Sequence, residues 1–317
     1  MTALLDRRLL FVTGKGGVGK TTIAAALGQL SASQGRRTLL CEVDAKGNLA
    51  GAFETGPTGF KEREIAPGLW AMSMDTEASL REYLKVQAKV PVFGRIGPMA
   101  RAFDFVATAA PGVKEILTVG KVCWELRESL AGRADWDLIV VDAAATGHVI
   151  SQLDAPGAIQ ELVQVGPIRN QTGWMVDLLS DPSLTALNVV TSPEEMPVNE
   201  TIELVARARQ ELDVPLGVVI VNRVLPELFT HADEVVFESL REPGPAEVLL
   251  ERAGPGATAV LDAARLAVSM RRSRSVHLAH LREEVDLPLL LIPYLFVRDH
   301  GLRTTRMVAE ALGQELG

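Results

Sequence analysis

Eight consecutive residues near the start of the chain have the composition of a phosphate-binding loop. Residues 14–21 read Gly-Lys-Gly-Gly-Val-Gly-Lys-Thr, which fits the pattern G-x-x-x-x-G-K-[ST]. Glycine lets consecutive backbone N–H groups turn towards a phosphate, and the helix that begins near Lys20 adds the positive end of its dipole. We expect Lys20 to reach the β- and γ-phosphates and the Thr21 hydroxyl to ligate Mg²⁺. The predicted nucleotide-binding residues of this P-loop are Gly14, Gly16, Gly17, Val18, Gly19, Lys20, Thr21 and Thr22.

A second lysine, Lys15, lies inside the P-loop at a position where such loops usually tolerate any residue. An ammonium group there cannot easily fold back onto the phosphates that its own loop holds. We therefore expect Lys15 to reach a nucleotide bound by a facing subunit, where a cation stabilises charge on the transferring phosphoryl group. This makes Lys15 a candidate catalytic residue together with Lys20. The alternative is a lysine exposed to solvent on a loop.

Acidic residues follow two apolar runs that have the pattern of buried parallel strands. Asp142 comes directly after the run 137–141, and Asp44 comes directly after the run 38–43. The carboxyl ends of parallel strands meet at one edge of a sheet, where ligands bind. We expect Asp142 to hold Mg²⁺ through a water molecule. A carboxylate at Asp44 has the chemistry to assist a water molecule that attacks the γ-phosphate. For both residues the alternative is a solvated acid at a strand end.

The elements that must position these residues alternate along the chain. Apolar runs are separated by stretches with helical spacing, which indicates an α/β fold with one doubly wound, mostly parallel sheet flanked by helices. We expect a single P-loop NTPase domain over residues 1–317, with a helical subdomain at about 77–130. That stretch and a second helical stretch at 230–285 are expected to pack on the sheet. The predicted strands are 9–12, 38–43, 68–72, 137–141, 185–190, 215–221 and 287–292, and the clearest helices are 21–33, 199–212 and 303–316.

Composition and charge restrict the class of partner. The chain has 317 residues, 47% of them hydrophobic and 23% charged, with a net charge of −8 and a pI near 5.3. An acidic protein is poorly suited to grip the phosphate backbone of nucleic acid, so no nucleic-acid partner is expected. The sequence has no uninterrupted apolar run of roughly 18 residues, so we expect no direct membrane insertion. Two widely separated cysteines give no disulfide or zinc pattern, and the expected location is cytoplasmic.

Beyond its general pattern, the P-loop resembles the deviant Walker A motif of the MinD, ParA, ArsA and nitrogenase iron-protein class of dimeric ATPases. Four further segments are similar to motifs of the ArsA family, which includes arsenite-pump ATPases and tail-anchored-protein targeting ATPases. Residues 42–49 resemble its switch I and residues 142–148 its switch II. Residues 221–223 resemble its adenine-reading strand end, and residues 291–302 its adenine loop.

The resemblance implies roles for residues in these segments and two cofactors, ATP and Mg²⁺. It implies that Asp44 serves the attacking water, that the Gly147 N–H senses the γ-phosphate and that Pro293 lies in the adenine loop. It also implies that Asn222 reads adenine, and a carboxamide is suited to this because it both donates and accepts on the N6/N7 edge. A capping Asn after a strand is the alternative. The residues after Asn222 lack the acid of an N-K-x-D motif, which favours ATP over GTP.

Departures from the ArsA pattern restrict which family function is expected. The chain has one ATPase half rather than two and no CxxC motif. Only about thirty residues separate His148 from Asp181, too few to enclose a transmembrane helix of roughly 20 apolar residues. The apolar region 90–125 is an alternative client surface, unless it packs internally. Ala145 stands where the family's switch II has proline.

Three functions remain open from the sequence. The first is a Mg²⁺-dependent dimeric ATPase that couples ATP hydrolysis to an unidentified protein client, as a homodimer or as a heterodimer with a paralogous ATPase. The second is a low-turnover nucleotide-binding scaffold subunit of such a heterodimer, which Ala145 and the degenerate adenine loop favour. The third is a small-molecule kinase, which shares the P-loop but has no use for Lys15.

Overall fold

In the computed structural model, the chain folds around one sheet with helices on both of its faces. The structure describes residues 4–43, 47–86, 112–162, 167–298 and 301–317. Asp44 and the apolar residues 92–106 therefore lie outside the described residues. Within the described ranges, no helix combines the length and apolar character that a bilayer crossing requires.

Most strands of the sheet run parallel to one another. They are β1 (Leu9–Gly14), β2 (Thr38–Glu42), β3 (Arg63–Ala66), β4 (Leu69–Ser73), β5 (Leu138–Asp142), β6 (Thr185–Thr191), β7 (Leu216–Val224) and β8 (Leu289–Pro293). Their order across the sheet is β3-β4-β2-β5-β1-β6-β7-β8, and only the β3–β4 pair is antiparallel among these. The order reverses beside β1, because β2 and β5 lie on one side of it and β6 lies on the other. Ligands of open α/β sheets bind at such a reversal, outside the carboxyl ends of the strands.

Helices cover both faces of the sheet. They are α1 (Lys20–Ser33), α2 (Asn48–Ala52), α3 (Thr76–Val86), α4 (Val113–Leu130), α5 (Thr146–Leu162), α6 (Pro167–Ser180), α7 (Glu195–Glu211), α8 (His231–Ser239), α9 (Pro243–Ala253), α10 (Gly256–Glu284) and α11 (Leu302–Leu316). One face packs against α1, α2 and α11, and the other packs against α4, α5, α6 and α7. The sheet is therefore doubly wound, as the sequence predicts.

The central strand β1 shows how its sequence serves two cores. Leu9 and Phe11 point into the core formed with α4–α7, whereas Leu10 and Val12 point into the core formed with α1 and α11. All four side chains are at most 1% exposed. A strand buried on both faces reads as a continuous apolar run rather than an alternating one. This is why the sequence around the P-loop predicts the strand so clearly.

The predicted strands are all present, with ends shifted by a few residues. One strand was missed: β3 lies at the edge of the sheet, and its residues are exposed or half-buried, so they form no apolar run. The expected start at Asn199 of the second clear helix was also wrong, because α7 begins at Glu195. Pro197 lies in its first turn, where proline removes no intrahelical hydrogen bond.

The second helical stretch does not pack on the sheet as expected. No side chain of α9 is buried, and Leu281 is the single buried residue of the 29-residue helix α10. Val260, Leu266 and Val276 on α10 are each more than 60% exposed. Most of this stretch therefore adds little to the two cores.

A buried lysine ties α4 to α3 and to the loop before β3. The Lys121 side chain is 7% exposed, and its Nζ lies 2.7 Å from Glu125 Oε1 and 3.0 Å from Glu82 Oε2. Glu62 Oε1 is 3.6 Å from the same Nζ, and Trp136 Nε1 donates to the second oxygen of Glu125. Burial lowers the pKa of Lys121, but the carboxylates of Glu125 and Glu82 outweigh burial and raise the pKa above its ordinary value.

We expect Lys121→Met to lower the free energy of unfolding by about 3 kcal/mol, because it leaves the buried Glu125 carboxylate without its cation. Urea unfolding followed by circular dichroism measures this loss. The control is Arg81→Met, which removes the exposed ion pair with Glu77 and is expected to cost about 1 kcal/mol or less. Equal losses in the two variants would contradict a structural role for the buried pair.

Candidate nucleotide site

The P-loop joins β1 to α1, and its shape requires glycine at two crowded positions. Gly14 has φ 149°, and a Cβ built on it would lie 2.1 Å from the carbonyl oxygen of Val190. Gly19 has φ 99°, and a Cβ there would lie 2.4 Å from Asn222 Nδ2. A side chain at Gly14 would force the loop away from the backbone of β6, whereas one at Gly19 would displace the Asn222 side chain and would strain the backbone at its positive φ. The sequence pattern therefore reflects close packing as well as phosphate binding.

The P-loop forms one wall of a cavity of about 290 Å³ at the carboxyl edge of the sheet. The ends of β2 and β5 and the start of α2 form the other walls. Predicted phosphate-binding and metal-binding residues from distant parts of the sequence meet here. The residues that line the cavity are Gly16, Gly17, Gly19, Lys20, Thr21, Glu42, Asn48, Asp142 and Ala143.

Thr21 and Asp142 meet at the floor of the cavity. The Thr21 hydroxyl donates a 2.6 Å hydrogen bond to Asp142 Oδ2, and the Asp142 residue is 8% exposed. A hydroxyl and a carboxylate supply the hard oxygen ligands that Mg²⁺ prefers, together with water and phosphate oxygens. The two residues therefore fit a magnesium ion, which Thr21 would ligate directly and Asp142 would hold through water.

The two lysines of the P-loop have different environments. Lys20 lines the cavity, and its Nζ donates to the backbone carbonyl of Lys15 at 3.3 Å. The Lys15 ammonium instead forms an ion pair with Glu200 on α7 of the same chain, and the two side chains are 24% and 35% exposed. This contact could not be predicted from the sequence, because 185 positions separate the two residues.

Asn222 supports the P-loop from the end of β7. Its Nδ2 donates to the carbonyl of Val18 at 2.8 Å, and its Oδ1 accepts from the Arg223 N–H. Asn222 is 7% exposed, so its carboxamide is packed beneath the loop in this structure. Pro293 ends β8 and pairs with Val224 at the same edge of the sheet. Adenine contacts by Asn222 and Pro293 stay predictions.

Switch II follows β5 and is tied to β1. The Thr13 hydroxyl donates to the carbonyl of Ala144 at 2.8 Å, and the Ala143 N–H donates to the carbonyl of Val12 at 3.0 Å. Gly147 lies in the first turn of α5, with no atom within 4 Å of the position that a Cβ would take. The role of Gly147 as a γ-phosphate sensor stays a prediction.

Two cavity residues were not assigned a chemical role from the sequence. Glu42 is the last residue of β2 and is only 1% exposed, and Asn48 begins α2. The available signal in the sequence is a charged residue at the end of a mostly apolar strand, two residues before the acid expected to serve water. Asp44 itself lies outside the described residues, so its role stays a prediction.

A family model described as an anion-transporting ATPase matches residues 7–177 and 167–242. These two ranges cover well over half of the chain. The chain belongs to the ArsA ATPase family. Its membership confirms the resemblance inferred from the P-loop and the two switch segments, and it agrees with the sheet and cavity described above.

Several curated proteins are similar to this ArsA-family chain. The ATPase BagA of Mycobacterium tuberculosis is 38% identical over 230 residues, which are 69% of this chain and 66% of BagA. The arsenical pump-driving ATPase of Escherichia coli is 31% identical over 242 residues, 69% of this chain and 40% of that protein. The ATPase GET3 of Chaetomium globosum is 30% identical over 184 residues, 56% of this chain and 52% of GET3. The similarity therefore spans less than two thirds of each relative's own length.

We expect Gly14→Ala to lower the stability of the nucleotide-free protein by about 2 kcal/mol or more, because its Cβ meets the Val190 carbonyl at a strained φ. The matched control is Gly16→Ala in the same loop, where a Cβ meets no atom within 4 Å. Thermal unfolding of both variants without nucleotide measures the difference. A Gly14→Ala protein as stable as Gly16→Ala would contradict the crowded packing of the loop.

Proposed function

We propose that this protein is a Mg²⁺-dependent ATPase that switches between two states as it binds and hydrolyses ATP. The observation that carries the proposal is the cavity itself, in which the P-loop, Lys20 and the Thr21–Asp142 pair meet at one sheet edge. Membership of the ArsA family supports ATP as the nucleotide. The relatives' printed names support hydrolysis, since each is called an ATPase.

In the proposed mechanism, one set of residues binds the nucleotide and the metal ion, and another residue orients the attacking water. P-loop N–H groups and Lys20 hold the phosphates, while Thr21 and Asp142 would hold the metal ion. When bound, Mg²⁺ neutralises charge on the β- and γ-phosphate oxygens. We propose that Asp44 orients the water molecule that attacks in line with the departing phosphate, which fits its position two residues after the cavity residue Glu42.

The working form that we propose is a dimer in which Lys15 reaches the nucleotide of the facing subunit. The structure imposes a condition on this role, because Lys15 forms an ion pair with Glu200 within its own chain. The phosphates of the partner's nucleotide must replace Glu200 as the counter-ion of Lys15. Closing the dimer is then an exchange of ion pairs, which a triphosphate favours through its greater negative charge.

We propose that a protein client in the cytoplasm responds to this change of state, and that the facing subunit is a second copy or a paralogous ATPase. A low-turnover scaffold in a heterodimer is the second candidate function. The Lys15–Glu200 pair favours it, since it holds the proposed catalytic lysine away from a partner. Steady-state phosphate release, measured alone and with the paralogue added, separates the two candidates.

We expect Asp44→Asn to reduce phosphate release by about 100-fold or more, because the amide cannot accept a proton from water. ATP affinity is expected to change by less than about threefold, since the P-loop remains intact. Coupled-enzyme turnover and equilibrium binding of a fluorescent ATP analogue measure the two effects. Turnover equal to that of the parent would remove Asp44 from its proposed role.

We expect Glu200→Gln to promote dimer formation with ADP and aluminium fluoride by up to about fivefold per subunit, because it weakens the pair that holds Lys15. Lys15→Ala is expected to remain monomeric under the same conditions. Sedimentation velocity measures both. The control is Glu211→Gln on the same helix, which breaks the exposed Arg207–Glu211 pair instead. Dimerisation of Lys15→Ala, or equal behaviour of the two glutamate variants, would contradict the exchange of partners.

A further inference from the structure

Glu42 is a buried carboxylate in the wall of the nucleotide cavity. It is the first residue of the segment that resembles switch I, but the resemblance gives it no role. It ends β2 and is the register partner of Asp142 on β5. Side chains in register on neighbouring parallel strands point to the same face of the sheet, and both residues line the same cavity. A charged side chain that is only 1% exposed needs partners that compensate for its desolvation.

Both oxygens of this carboxylate are engaged by groups of the chain itself. Oε1 accepts a 2.8 Å hydrogen bond from the Asn48 N–H, and Oε2 accepts a 3.2 Å hydrogen bond from the Ser73 hydroxyl. The Ser73 hydroxyl is in turn hydrogen-bonded to that of Thr58. The carboxylate therefore joins the end of β2 to the start of α2 and to the end of β4.

The contact with Asn48 fixes the start of a helix that lacks a side-chain cap. Gly47 is the N-cap of α2, so no side chain of its own can accept from the first N–H groups, and Glu42 supplies an acceptor. The other end of α2 is also held, because the Thr305 hydroxyl donates to the Ala52 carbonyl at 2.9 Å. Leu49 between them is fully buried. The position of α2 relative to the cavity is thus set at both ends.

The hydrogen bond between Glu42 and Asn48 links two residues that lie six positions apart in the sequence, on either side of Asp44. Val43 donates its N–H to the Asp142 carbonyl at 3.2 Å, and Asn48 is held by Glu42. Both ends of the segment that carries Asp44 are therefore attached to the wall of the cavity. A displacement of about 1 Å in a catalytic group can reduce a rate by about 100-fold, so the attachment of these ends matters for hydrolysis.

We propose that Glu42 is a positioning residue for hydrolysis. Through its hydrogen bond it holds Asn48, a residue of the cavity wall, in the same cavity as Thr21 and Asp142. Its negative charge is not required for this role, because both of its oxygens serve donors of the chain. The inference rests on the proposed ATPase function and gives a role to a residue that the resemblance to switch I leaves without one.

Two variants separate hydrogen bonding from charge. Glu42→Gln has the same length, can accept from Asn48 through its carbonyl and can donate to the Ser73 hydroxyl, but it carries no charge. Glu42→Asp keeps the charge, but its carboxylate is about 1.5 Å farther from Asn48. We expect Glu42→Gln to retain kcat within about threefold of the parent and Glu42→Asp to lose about tenfold or more, with KM for MgATP changed by less than about threefold in both.

Turnover is expressed per bound fluorescent ADP, so that a variant that is merely less stable does not count as a slow enzyme. Ser73→Ala is the control, because it removes one partner and leaves Asn48 bound to Glu42; its kcat is expected to match that of the parent. Equal kcat in the Gln and Asp variants, or a slower Gln variant, would overturn the positioning role alone. A parent protein without Mg²⁺-dependent ATP hydrolysis would overturn the proposed function and this inference with it.

Discussion

Parallel pairing of β1 and β2 with β5 decides where the charged groups of the site lie. Val12 and Glu42 are both register partners of Asp142. Strands β2 and β5 end at this level, and β1 continues two residues further to Gly14, where the P-loop begins. The same register continues one residue beyond β5 and β2, because the Ala143 N–H donates to the Val12 carbonyl and the Val43 N–H donates to the Asp142 carbonyl. The P-loop, switch I and switch II consequently leave the sheet side by side, which is the condition for a shared phosphate and metal site.

Polar groups around the cavity have partners within the chain. Thr21 is bound to Asp142, Lys15 is paired with Glu200 and Glu42 accepts from Asn48. In the proposed ATPase cycle, the Lys15–Glu200 contact would be replaced and the Glu42–Asn48 contact would be retained, and the free energy of binding would be the net result of these changes. The replaced contact would connect the nucleotide to α7, and the retained contact would keep Asn48 in place.

The parts of the site that the sequence predicts are local in the chain. The P-loop and Asp142 are recognised because each motif directly follows an apolar run that is buried on both faces of the sheet. Glu200 and Ser73 could not be predicted as site residues, because their partners Lys15 and Glu42 lie 185 and 31 positions away in the sequence. Edge strand β3 was not predicted for a different reason: its residues are exposed or half-buried, so its sequence has no hydrophobic pattern. Buried strands can be predicted because they have a hydrophobic pattern in the sequence, whereas long-range polar contacts can be identified only in the folded structure.

Helices α9 and α10 keep their backbone hydrogen bonds with almost no buried side chains. Opening them exposes little additional apolar surface and so costs far less than opening the sheet. We therefore expect their amide protons to exchange with deuterium through local opening, and those of β1 to exchange mainly through global unfolding. None of the cavity's described lining residues comes from these two helices, so their local opening removes no wall of the phosphate-binding centre.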